Sequence, residues 1–110
     1  MLKQTDALDL MYAALADSSR RAMIAQLARG PASVSELAKP LSMSLPAVVQ
    51  HLKLLEECGF VTSRKTGRVR TCRIEPKKLS AAQAWLAKQR SVWEARFDRM
   101  DAFVLETKDD

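Results

Sequence analysis

Apolar residues along the chain change their spacing several times, and each change marks an element. Leu8, Met11, Tyr12 and Leu15 recur every three or four residues, which predicts a first helix over about 5–16. Asp17 follows as an N-cap, a carboxylate placed to accept from the free amides of the next turn. The second helix is expected to run to Arg29 and to bury Met23, Ile24 and Leu27. Gly30-Pro31 closes it, glycine past the last turn and proline barring continuation. Ser33-Val34-Ser35-Glu36 is a capping box and opens a short third helix to about Lys39, with Leu37 inward. Pro40-Leu41-Ser42-Met43 reads as a turn. Ser44 caps a fourth helix from Leu45 to about Glu57, with Pro46 in a first turn where its missing amide costs nothing.

Beyond Gly59 the pattern changes period. Phe60–Arg64 and Val69–Ile74 read as two strands, joined by Lys65-Thr66-Gly67-Arg68 with a glycine where a hairpin needs positive φ. After Pro76 one helical tract extends from about Leu79 to Leu105. Leu79, Leu86, Trp93 and Met100 fall at intervals of seven, with Ala82, Phe97 and Val104 close to that stripe. A small domain cannot cover so long an apolar face by itself. The succession predicts a mainly α chain with a β-hairpin wing (α+β), a winged helix-turn-helix with helices around one core and a long terminal helix for dimerisation. It is read as one domain, 1–110, with a DNA-binding core at 17–78 and dimerisation helices at 5–16 and 79–105.

Charge sharpens this picture. The net charge of +5 is modest, but it is unevenly placed. Residues 17–78 hold 12 Lys or Arg against 5 Asp or Glu, while the rest hold 6 against 8. The excess lies where a helix-turn-helix would face a polyanion, so double-stranded DNA is the expected partner. Turning 100° per residue, the fourth helix gathers Leu45, Val48, Leu52 and Leu55 on its core side. Ala47, Gln50 and Leu54 point the other way, flanked by Pro46 and Lys53 on one side and His51 on the other. Small residues at the start allow close approach to a groove. Gln50 can pair with an adenine edge and Lys53 can reach phosphate or guanine. Ser42 and Ser44 stand before the helix start, where hydroxyls and free amides suit phosphate oxygens. The hairpin adds Arg64, Lys65, Arg68, Arg70 and Arg73, five cations in ten residues with no acid among them. A charged edge strand protected from aggregation would look similar in isolation; directly after a helix-turn-helix it reads as a DNA clamp.

Leu15-Ala16-Asp17-Ser18-Ser19-Arg20-Arg21-Ala22-Met23-Ile24, Ser35-Glu36-Leu37-Ala38, the run from Leu45 to Val61 and Arg64-Lys65-Thr66-Gly67-Arg68 together resemble ArsR/SmtB-type regulators. The resemblance extends from about Met11 to Ile74. It implies a repressor that pairs through its first and last helices, placing Leu8, Met11, Tyr12, Leu86, Trp93, Phe97 and Met100 at a homodimer interface. Where the family commonly has serine this chain has Val49, so that hydroxyl contact to DNA is absent.

The resemblance also implies a branch without the classical metal-sensing ligands. The third helix has no cysteine, the last helix has no histidine, and the lone histidine lies on the reading helix. A closed zinc site needs about four N, S or O ligands, so neither metal nor cofactor is expected. Cys58 and Cys72 are read as small semi-buried hydrophobes, and Trp85 and Trp93 as dimer core. A redox effector at the former or a small-molecule effector at the latter stays open. The chain carries no evident catalytic constellation, and its three glycines already serve caps and turns. A winged helix used only as a protein-interaction module is the remaining alternative, one in which a basic wing has no purpose. Without an apolar leader or a run long enough to cross a bilayer, the expectation is a cytoplasmic protein with no membrane partner.

Overall fold

In the computed structural model residues 3–108 are described, without the side chains of 3–6, 102 and 104–108. Packing divides the chain into two compact units, 1–79 and 80–110.

The first unit begins with α1 (Lys3–Leu15) and α2 (Ser18–Leu27). Asp17 caps α2 by accepting from the Arg20 amide at 3.0 Å. The helix stops two residues earlier than its pattern suggested, because Ala28 is already the C-cap and the Gly30 amide turns back to the Leu27 carbonyl. Met23 and Leu27 are buried, while Ile24 is only half-buried. Next comes β1 (Ala32–Ser33), a strand that periodicity did not reveal, followed by α3 (Val34–Ala38) and a 3₁₀ turn over Lys39–Leu41. The capping box is present: the Ser33 hydroxyl accepts from the Glu36 amide at 3.2 Å, and the Glu36 carboxylate from the Ser33 amide at 3.1 Å. Ser42 ends the turn with φ 51°, the left-handed region.

α4 spans Leu45–Glu57, capped by the Ser44 hydroxyl accepting from the Ala47 amide at 3.3 Å. β2 (Val61–Thr66) and β3 (Val69–Ile74) pair from Val61 opposite Ile74 to Thr66 opposite Val69. The connection is therefore two residues, Gly67-Arg68, rather than the four expected. Only Gly67 has positive φ, 64°, the arrangement of a type II′ hairpin. β3 also pairs with β1, giving the sheet order β1-β3-β2. Phe60, Met23, Leu37, Leu52, Leu55, Val48, Val61 and Cys72 are the largest fully buried side chains and form the core behind α4.

α5 (Pro76–Lys108) starts one turn before the expected Leu79 and extends beyond Leu105, with proline accommodated at its first position. All but its first turn makes up the second unit. Among the described residues no helix is long and apolar enough to cross a membrane.

Candidate nucleic-acid interface

Three elements position the candidate surface: the turn before α4, the outward face of α4, and the β2–β3 hairpin. On α4 the side toward the core is closed by Val48, Leu52 and Leu55. Leu45, grouped with them by angle, is instead 49% exposed. Its Cβ tilts toward the helix start, and at the first position no preceding turn lies beneath it. Pro46, Val49, Gln50, Lys53 and Leu54 are exposed, and Ala47 is half-buried. Ser42 and Ser44 are exposed beside this face; the Ser44 hydroxyl already accepts from its own helix and retains its proton to donate.

His51 is half-buried and held from behind. An Arg20 terminal nitrogen lies 3.2 Å from His51 Nδ1, and Asp17 Oδ2 lies 3.8 Å from the same nitrogen. Arg20 also donates from Nε to the Ala14 carbonyl at 2.8 Å and from its other terminal nitrogen to the Ala13 carbonyl at 3.0 Å. Arg21 donates to the Leu15 carbonyl at 2.7 Å. Two arginines of α2 thus satisfy the last carbonyls of α1, whose negative end favours cations. The amide bond from Arg20 holds the Asp17 carboxyl below the usual carboxylate range, assisted by the nearby Arg20 charge.

The wing cations divide into two groups. Arg70 faces α4, where its terminal nitrogen bonds both Glu56 carboxylate oxygens at 2.9 and 3.0 Å. Its Nε donates to the Ser63 hydroxyl at 2.8 Å, and that hydroxyl donates to Glu56 at 2.7 Å. Arg70, expected among the DNA-binding cations, is thus paired within the chain: the hairpin run lacks an acid in sequence, but α4 supplies one across space. The side chains of Arg64, Lys65, Arg68 and Arg73 are exposed and make no hydrogen bond or ion pair among the described residues. Sequence reasoning missed Glu56 and Arg20, because each acts on a residue more than ten positions away.

The expected dimer residues also divide. Met11, expected at the interface, is only 5% exposed within the single chain and belongs to its core. Leu8 and Tyr12 are half-buried. Leu86, Trp93, Phe97 and Met100 are exposed on α5, with Trp93 and Phe97 in edge-to-face contact at 4.8 Å; the side chain of Val104 lies outside the described residues. Cys58 and Cys72 are both free and buried, and burial pushes both thiols up from their ordinary range, away from the reactive thiolate. Among the described residues no group of three or more His, Cys, Asp or Glu is arranged to hold a metal ion.

Comparison with known proteins matches residues 17–63 to the model of the bacterial regulatory protein arsR family. The chain is 45% identical over 73 residues to the HTH-type transcriptional regulator Rv2034 of Mycobacterium tuberculosis, covering 66% of this chain and 68% of that one. It is 40% identical over 63 residues to the HTH-type transcriptional repressor SmtB of the same organism, covering 57% of this chain and 47% of that protein. The crystal structure of an ArsR family transcriptional regulator, RHA00566, superposes with a TM-score of 0.79 at 48% identity, covering 86% of this chain and 97% of that one. The chain therefore belongs to the ArsR family of bacterial transcriptional regulators, and its winged helix-turn-helix is their DNA-binding domain.

Proposed function

We propose that this regulator is a repressor that acts in the cytoplasm as a homodimer on an inverted-repeat operator. The observation that carries the reading is the adjacency in sequence and fold of an exposed α4 face, with Gln50 and Lys53, to a hairpin whose Arg64, Lys65, Arg68 and Arg73 have no internal partner among the described residues. Gln50 presents both a donor and an acceptor, the pair an adenine edge requires. The four wing cations, with Lys53 and the hydroxyls of Ser42 and Ser44, supply phosphate contacts that fix register without reading sequence. The exposed stripe on α5 supports the dimer, and two copies related by a two-fold axis match an operator whose half-sites repeat about one helical turn apart. The name of SmtB supports repression rather than activation.

The test is binding to duplexes from the chain's own promoter region at several salt concentrations. Four wing cations per protomer give about eight phosphate contacts per dimer, so the log–log slope should lie near −7. Gln50→Ala should relax base choice at one symmetric pair of positions by ~1–3 kcal/mol and leave random DNA unaffected. Weak, salt-insensitive binding of all duplexes would overturn the reading and favour a protein-interaction module.

A further inference from the structure

The Arg20–His51 contact has a consequence on the far side of the imidazole. A guanidinium carries only donors, so at 3.2 Å from an Arg20 terminal nitrogen His51 Nδ1 is the acceptor. A neutral imidazole whose Nδ1 accepts carries its hydrogen on Nε2. Asp17 Oδ2, at 3.8 Å, is too far to compete by accepting from Nδ1. Arg20 itself has little freedom, since the carbonyls of Ala13 and Ala14 hold two other guanidinium nitrogens and Asp17 holds its amide. No unpartnered buried side-chain nitrogen or oxygen occurs among the described residues, and Nε2 makes no hydrogen bond there, so Nε2 is accessible to solvent. His51 follows Gln50 on α4 and flanks the outward face.

We propose that Arg20 is a positioning residue that fixes His51 as an Nε2–H donor, and that this donor binds an acceptor atom of the duplex beside the base edge taken by Gln50. The inference rests on α4 being the DNA-reading helix. Its chemistry is selective: a phosphate oxygen, guanine O6 or N7, adenine N7 or thymine O4 satisfies the donor, whereas cytosine, which shows only an amino donor in the major groove, does not.

Two measurements test it. Long-range proton–nitrogen correlation spectra of the free protein at about pH 8 should show Nε2 protonated and Nδ1 bare. Arg20→Met, which keeps an apolar stem but no donor, should move the ring toward a mixture of tautomers. DNA binding is then measured on an operator selected from a randomised pool and on a random duplex. His51→Phe keeps a planar ring without the donor and should weaken binding about three- to tenfold per half-site, the range of one hydrogen bond. His51→Gln returns an amide donor near the Nε2 position and should recover most of that loss. Loss on both duplexes identifies a phosphate acceptor; loss on the operator alone identifies a base edge. An Nδ1-protonated ring in the wild type, or His51→Phe binding as tightly as wild type, overturns the proposal while leaving DNA recognition intact. Failure of the wild type to bind either duplex removes the reading helix itself, and the proposal with it.

Discussion

α4 and α5 carry comparable apolar side chains to opposite ends. On α4 the apolar face is closed by the same chain: Val48, Leu52 and Leu55 are buried beneath the helix. On α5 Leu86 is 54% exposed and Trp93 63%, with Val92, Phe97, Met100 and Phe103 also facing solvent. The difference is one of layers. α4 belongs to a unit with α3, α2, α1 and a sheet against which a helix can lay its apolar side, whereas the described residues of the unit 80–110 form one helix with no second layer among them. A contiguous exposed apolar face of this kind marks an interaction surface. One region is closed within a single chain; the other leaves its apolar face open.

The largest effect is expected where that contrast is broken at α5. Leu86→Glu with Trp93→Glu removes four apolar side chains from a two-fold interface, each worth ~1.5–3 kcal/mol when buried. The dimer constant should weaken by at least about four orders of magnitude, with the helical content of residues 3–79 retained. Sedimentation at micromolar concentration reads the change, and a monomeric wild type would remove the contrast altogether. The opposite break is at the closed core. Phe60 is fully buried between the end of α4 and the sheet, its amide bonded to the Leu55 carbonyl at 3.0 Å. Phe60→Ala should cost ~3–5 kcal/mol of stability in denaturant unfolding, while the same truncation at exposed Phe97 should cost the folded chain little and act on dimer affinity instead.

How much of this was legible follows from the range of the interactions. The three caps at Asp17, Ser33 and Ser44 are local, each a side chain reaching an amide three residues on, and all three are present. The helices and hairpin were legible for the same reason, since periods of 3.6 and 2 are written in neighbouring residues. β1 was not, because two residues hold no period and become a strand only opposite Cys72 and Thr71. The fate of Arg70 was hidden by the fourteen positions separating it from Glu56, and the tie between Arg20 and His51 by thirty-one. Residue type nominated the site; contacts across the fold decide which of its cations are free.

Within the closed unit the wing offers a finer test. Arg68 sits at the hairpin tip without an internal partner among the described residues, and Arg70 is bound to Glu56 and Ser63. Arg68→Ala should reduce the magnitude of the salt slope by ~1 for each phosphate left without its cation. Arg70→Ala should leave the slope nearly unchanged and lower stability by about 1 kcal/mol or less, since the pair is partly exposed and screened. Equal slope changes for the two would show that Arg70 exchanges Glu56 for phosphate on binding.

The smallest effect concerns the joint between α1, α2 and the reading helix. Asp17 caps α2 as a carboxylate held below its ordinary pKa, chiefly by the Arg20 amide. A group whose pKa is depressed on folding adds stability above its unfolded value and loses it as pH falls through the folded one. The Asp17 contribution is therefore complete at neutral pH and disappears below about pH 4, the ordinary value being 3.8. Asn caps a helix about as well as Asp but does not titrate. Asp17→Asn should leave neutral stability close to wild type and flatten the acid limb of the stability–pH profile. Glu36, also held low by the Ser33 amide in its capping box, supplies a second acid-labile cap and keeps that limb from vanishing. An unchanged acid limb in Asp17→Asn would mean that the carboxylate charge contributes nothing at this joint and that the cap works through its hydrogen bond alone.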